Sequence, residues 1–165
     1  MKKLYLVRHA KSSWKDITLD DFDRPLNKRG KKDAPFMAKL IKEQRIIPDI
    51  LISSPANRAK TTAQTFHKIL NLKKNILFDK KLYFASLEEI EDTVTHIDDK
   101  YDTVFIFSHN PTLNEFIEKH LEIYDNLPTC GIAGMVCETN SWKTFLKHNL
   151  ELIMFDYPKN HKDGQ

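Results

Sequence analysis

A chain of 165 residues with 41% hydrophobic side chains suffices for one domain around one sizeable core, and nothing in it argues for a second domain. Its 26 basic and 23 acidic residues are scattered, and the net charge of +3 argues against a dedicated nucleic-acid binder while leaving room for a local anion pocket. No apolar stretch approaches the ~20 residues of a membrane span, and the run after Met1-Lys2-Lys3 is too short for a signal-peptide core. Cys130 and Cys137 lack CxxC spacing and read as small buried thiols. A reduced, cytoplasmic setting is the expectation.

Leu4-Tyr5-Leu6-Val7 is a continuous apolar run, the pattern of a strand buried on both faces. A polar stretch over 11–27 follows, containing Trp14, Phe22 and Pro25, and its length suggests a functional loop. Over 28–44, Ala34, Met37, Ala38, Leu40 and Ile41 recur at helical spacing. Residues 50–52 predict a short strand. Ser54 then reads as a helix cap, with Pro55 at the first helical position and Ala59, Ala63 and Phe66 facing inward to about residue 70. A short strand is expected at 76–78, and a helix capped by Ser86 carries Leu87, Ile90, Val94 and Ile97. Residues 103–107 form the second strongly buried strand, and Pro111 opens the next helix. Strands over 131–136 and 150–155, joined by a turn near Asn140-Ser141, complete a single domain over 1–157, and 158–165 read as a polar, frayed tail. The alternation implies a layered α/β sandwich around a mostly parallel sheet, with antiparallel pairing near the C-terminus.

Two of the most hydrophobic strands end in a polar pair containing histidine: Arg8-His9 and Ser108-His109. A third ends in Ser53-Ser54-Pro55 and enters a helix whose first turn carries Arg58. Ligands of open α/β sheets bind outside the carboxyl ends of the strands, so His9, His109, Arg8 and Arg58 are expected to converge on one rim. Guanidinium forks match phosphate oxygens and spread the charge of an in-line transition state. One neutral imidazole can attack phosphorus while the other donates to an equatorial oxygen. The arginines supply the countercharge, so neither metal nor cofactor is expected, and no Walker-A sequence is present.

At these residues the chain resembles the histidine phosphatase superfamily, which includes the cofactor-dependent phosphoglycerate mutases, and more closely the small SixA-type phosphohistidine phosphatases. The family's Arg-His-Gly opening stands here as Arg8-His9-Ala10, followed by Lys11-Ser12-Ser13-Trp14. Arg24-Pro25-Leu26-Asn27 to Gly30, the segment from Ser53 to Ala63 with Arg58, Ser108-His109-Asn110-Pro111, and Thr129-Cys130-Gly131-Ile132-Ala133 follow in the family's order. The resemblance implies a phosphoglycerate mutase-like three-layer α/β/α sandwich. It implies that His9 takes the phosphoryl group covalently and that Arg8, Arg58 and His109 form the phosphate pocket; Ser13 and Asn110 are further candidates for substrate binding. Ala10 replaces the usual glycine, leaving that backbone less free to adopt a positive φ. Asn110 follows His109 where the phytase-like branch has an aspartate, which disfavours that branch.

No general acid stands out. Asp16, Asp20, Asp21 and Asp23 lie in the loop after His9, and Glu88 and Glu89 begin a helix, but each reads first as solvated charge; Asp21 or Asp23 is also placed to orient a pocket residue or pair with Arg24. A phosphoramidate needs less proton assistance than an alkoxide ester, and a chain this short has little to spare for a lid, so phosphohistidine or another phosphorylated protein side chain is the favoured substrate. The alternatives are a small-molecule phosphomonoesterase of the same mechanism and a non-catalytic phosphate-binding module; a mutase or a metal hydrolase is less supported. The expected partners are a phosphorylated protein or a small phosphate ester, with no nucleic acid and no membrane, and nothing asks for more than a monomer. His67, His96, His120, His148 and His161 lack metal-ligand spacing, Trp14 and Phe22 serve loop packing as readily as substrate, and the basic run over 28–32 reads as a helix face.

Overall fold

The computed structural model describes residues 1–161. Six strands form one sheet: β1 (Lys2–Arg8), β2 (Ile50–Ser53), β3 (Leu77–Phe78), β4 (Thr103–Ser108), β5 (Ile132–Cys137) and β6 (Glu151–Asp156), in the order β3-β2-β4-β1-β5-β6. The pairs β1/β4, β2/β4 and β2/β3 are parallel, and β5 runs antiparallel to both of its neighbours. Helices α1 (Lys28–Glu43), α2 (Asn57–Ile69), α3 (Leu87–Thr95) and α4 (Thr112–Leu121) cover the faces.

The unbroken apolar runs of β1 and β4 have a simple cause: alternate side chains feed two different cores. Leu4, Leu6, Val104 and Ile106 pack with Ile90 and Val94 of α3 and Phe116 and Ile117 of α4. Tyr5, Val7, Phe105 and Phe107 pack on the opposite face with Met37 and Ile41 of α1 and Phe66 of α2. Full burial of each such side chain contributes about 1.5–3 kcal/mol, so the central strands are the most firmly held part of the molecule. This is the three-layer sandwich expected from the sequence.

Three local expectations are corrected. Helix α2 begins at Asn57 with Ala56 as its N-cap, not at Pro55, because the Ser54 hydroxyl is used in a turn, accepting from the Ala56 N–H at 3.2 Å. Helix α3 ends at Thr95, short of Ile97. Strands β5 and β6 are joined by more than a turn: a 3-10 helix, Trp142–Lys147, intervenes and buries Trp142 and Phe145. Ser86 does cap α3, through a capping box with Glu89. Of the tail, Pro158–His161 form a 3-10 turn with His161 against Asp156, and 162–165 lie outside the described residues.

Register places the functional residues. Arg8 of β1 pairs with Ser108 of β4, so the two strands end level and their next residues, His9 and His109, leave side by side. Ser53 of β2 pairs with Phe107, and the Ser54 N–H continues the ladder to the Phe107 carbonyl at 2.9 Å.

Candidate active site

His9 is 8% exposed at the end of β1. Its Nδ1 lies 2.7 Å from the Ala10 carbonyl oxygen, which can only accept, so Nδ1 carries the proton and Nε2 keeps a free lone pair. The backbone around it is held from three sides. The Ala10 N–H donates to Thr62 Oγ1 at 3.0 Å, Thr62 donates to the Arg58 carbonyl at 2.8 Å, and the Cys130 N–H donates to the Arg8 and His9 carbonyls at 3.0 Å each. Ala10 is fully buried and its φ is not positive, so the methyl group standing where the family has glycine is accommodated.

The His109 ring centroid lies 5.1 Å from that of His9. His109 Nε2 is 2.8 Å from Ser54 Oγ, and because that oxygen already accepts the Ala56 N–H, its own proton is available for Nε2. Burial above all pushes both imidazoles down to about 3 from the ordinary value near 6.5; for His109 the charges of Arg58 and then Arg8 add to this, and for His9 the His109, Arg58 and Arg8 charges do so. Both rings are therefore neutral at physiological pH.

The two arginines are held differently. Arg58, on the first turn of α2, is 7% exposed; its Nη1 donates to the Asp21 carbonyl at 2.8 Å and its Nη2 to the Asp21 carboxylate at 3.0 Å. Tyr83 donates its hydroxyl to the same carboxylate at 2.7 Å, and Arg24 Nη1 donates to its other oxygen at 2.9 Å. Burial alone would raise the Asp21 carboxyl, but the bonds from Tyr83, Arg58 and Arg24 outweigh it and hold the pKa at about 2. Arg8 donates Nη1 to the Leu127 carbonyl at 3.1 Å. Its Nε, like Nδ1 of His109, is buried with no partner among the described residues. Two guanidiniums acting on two neutral imidazoles make a site suited to an anionic ligand with oxygen acceptors.

His9, Arg8, Arg58 and His109 are thus brought together. A cavity of about 290 Å³ opens beside His109, lined also by Arg58, Tyr83, Phe84, Asn110 and Glu115. Asn110 commits its side chain to structure, donating to the Leu127 carbonyl at 3.0 Å and accepting from the Asn114 N–H at 3.1 Å. Ser13 is engaged within its own loop, accepting from the Lys15 N–H at 3.1 Å through its hydroxyl and from Arg24 Nε at 3.1 Å through its carbonyl. Trp14 stacks on the Arg24 guanidinium, and Phe22 meets Tyr83 edge-on. Glu89 is taken by its capping box and Asp16 by Thr18.

Sequence reasoning did not single out Tyr83, Ser54's link to His109, or Glu115, the one acid among the described residues lining the cavity. Tyr83 lies in an irregular segment with no periodicity to mark it. Among the described residues no group of three or more His, Cys, Asp or Glu side chains is arranged to hold a metal, and no helix is long and apolar enough to cross a membrane.

Comparison with known proteins agrees with this arrangement. The model of the histidine phosphatase superfamily (branch 1) matches residues 4–91. An uncharacterized chloroplastic protein of Arabidopsis thaliana is 29% identical over 151 residues, covering 86% of this chain and 69% of that one. SixA from Agrobacterium tumefaciens superposes with a TM-score of 0.81 at 27% identity, covering 95% of this chain and 98% of that one. The protein histidine phosphatase SixA in complex with tungstate shares the fold, with a TM-score of 0.83 at 20% identity over 97% and 99% of the two chains. With residues 4–91 matched, more than half of the chain, and the histidines and arginines gathered at one sheet end, this protein belongs to the histidine phosphatase superfamily and is a hydrolase of that type.

Proposed function

We propose that the chain is a metal-independent phosphatase that forms a phosphohistidine on His9 and acts on phosphohistidine, or another phosphorylated side chain, of a protein. The observation that carries this reading is the gathering of Arg8, Arg58 and His109 around a His9 whose Nδ1 proton is committed to the Ala10 carbonyl, which leaves the Nε2 lone pair free. A phosphoryl group set against His9 Nε2 accepts from the Arg8 and Arg58 guanidiniums and from the His109 imidazole. His9 Nε2 attacks phosphorus, the bond to the substrate's imidazole nitrogen breaks, and that nitrogen leaves with its electron pair and takes up a proton. Water then attacks the phosphorus on His9, releasing inorganic phosphate and restoring the neutral ring. Asp21, with its pKa at about 2, is a carboxylate at neutral pH and orients Arg58 rather than donating a proton.

The similarity to SixA at 27% identity supports the phosphohistidine substrate. The test is turnover of a phosphohistidine protein beside a panel of sugar phosphates and phosphoserine. Faster turnover of the phosphohistidine protein is expected; rapid turnover of a sugar phosphate with the phosphoprotein untouched would replace this reading with a small-molecule phosphomonoesterase.

A further inference from the structure

A separate groove is built by the segment that follows His9 and by the start of α1. It has a volume of about 890 Å³ and is lined by Lys15, Lys28, Arg29, Lys31 and Lys32, with no acidic side chain among its described lining residues. Only Arg29 has an ion-pair partner among the described residues, the buried Asp33 at 3.3 Å; the four lysines are exposed and have none. In a chain whose net charge is only +3, five cations on one groove are a strong local concentration.

Helix stability does not account for them. The first turn of α1 has no acid, although the helix dipole favours acids there, and the Gly30 N–H is already satisfied by Asn27 Oδ1 at 2.8 Å. The charge is that of the side chains, projecting into a groove that other elements build. Its wall is the segment leading directly out of the nucleophile: Ser12 bridges Leu26, the Ser13 N–H donates to the Pro25 carbonyl at 2.8 Å, and the Asn27 N–H donates to the Lys11 carbonyl at 2.9 Å. Lys15 is six residues from His9, which puts it within about 20 Å even for an extended chain. An ordinary protein interface covers roughly 800 Å² per partner, about 30 Å across. Centred on His9, such an interface reaches about 15 Å, far enough to meet Ser13, which is four residues from His9 and lines the groove.

We infer that the groove formed by Lys15, Lys28, Arg29, Lys31 and Lys32 docks an acidic surface of the phosphoprotein substrate and steers it to His9. The inference rests on the phosphoprotein reading above. It gives the phosphate site a recognition surface outside the chemistry, where charge complementarity raises encounter rates and excludes basic partners.

The test uses the full chain and two fluorescent peptides with a central non-hydrolysable phosphonate analogue of phosphohistidine, one flanked by Asp and Glu, the other by Asn and Gln. Anisotropy is expected to show the acidic peptide binding about tenfold more tightly at low salt, with the advantage lost at high salt. It should also be lost in the Lys28→Gln/Lys31→Gln/Lys32→Gln variant, which should hydrolyse an aryl phosphate at the wild-type rate. Equal affinity for the two peptides, or an acidic preference that survives in the variant, overturns the inference. Tighter binding of a single-stranded oligonucleotide of matched charge also overturns it, assigning the groove to nucleic acid. The flank effect is read as affinity and turnover of authentic phosphohistidine as rate, so failure of the groove and failure of the substrate reading are seen separately.

Discussion

Asp21 holds Arg58 twice, once through its backbone carbonyl and once through its carboxylate, so the guanidinium is already fixed before any phosphate arrives. Hydrogen bonds to charged groups are worth about 1.5–3 kcal/mol, roughly 10- to 100-fold in rate if the orientation serves the transition state. The Asp21 side chain is 36% exposed and solvent screens part of this. Asp21→Asn is therefore expected to lower kcat/KM roughly tenfold, the low end. Tyr83→Phe, which removes one neutral donor from the same carboxylate, should cost less. Steady-state kinetics on an aryl phosphate check both, and a larger loss for Tyr83→Phe would contradict the ranking.

The low pKa values of the two histidines make a signed prediction. An ordinary histidine titrates near 6.5, whereas His9 and His109 do so at about 3 when folded. Between these values the unfolded chain binds more protons than the folded one, so stability rises with pH across the window, is complete above about 6.5, and is lost progressively as pH falls toward 3. Asp21, held at about 2, adds a loss at the acid end, since its contribution is present above the ordinary carboxylate value and disappears as pH falls through 2. Denaturant melts between neutral pH and pH 4 will show the slope. Because kcat/KM reports the free enzyme, it should show no histidine limb near 6.5 once the substrate's own ionisation, near 6, is corrected for.

Gly30 tests how the loop after the nucleophile is positioned. A Cβ at Gly30 would lie 2.2 Å from the Lys11 carbonyl oxygen, a contact with backbone that cannot swing away. Alanine is the better helix former by about 1 kcal/mol, so propensity alone predicts a gain from Gly30→Ala. Overpacking predicts a loss of about 1–3 kcal/mol, and that is the expected outcome. A raised denaturation midpoint would contradict the close approach of α1 to Lys11.

Glu115 is the acid that lines the cavity, yet a phosphoramidate departs without strong proton assistance. Glu115→Gln should leave phosphohistidine turnover within about threefold of wild type, where loss of a required general acid would cost about 100-fold or more. A collapse of phosphohistidine turnover would show that the enzyme supplies the leaving-group proton.

Much of this architecture was legible in the residues because burial on two faces writes itself as unbroken apolar runs. Leu4 to Val7 and Val104 to Phe107 could be read as central strands for that reason, and the histidines and arginines followed from where those strands end. Other features had no periodic signal. Trp142 and Phe145 are core residues carried on a 3-10 helix, which leaves no helical or strand pattern to read. Ser54 looked like a helix cap because its hydroxyl does bond a nearby N–H, but that N–H belongs to Ala56, before the helix, and the same oxygen serves His109. Asp21 stood in a loop with three other aspartates, and only the fold shows that it alone is gripped by Arg24, Arg58 and Tyr83.

The central claim is that His9 is the nucleophile, and the most direct measurement is the chemistry of the trapped enzyme. Brief exposure to a phosphorylated substrate followed by rapid denaturation should leave a phosphate that is labile to acid and stable to base, mapped by mass spectrometry to His9 and missing from His9→Ala, which should also be inactive. An acid-stable phosphate on another residue, or full turnover by His9→Ala, would contradict the account.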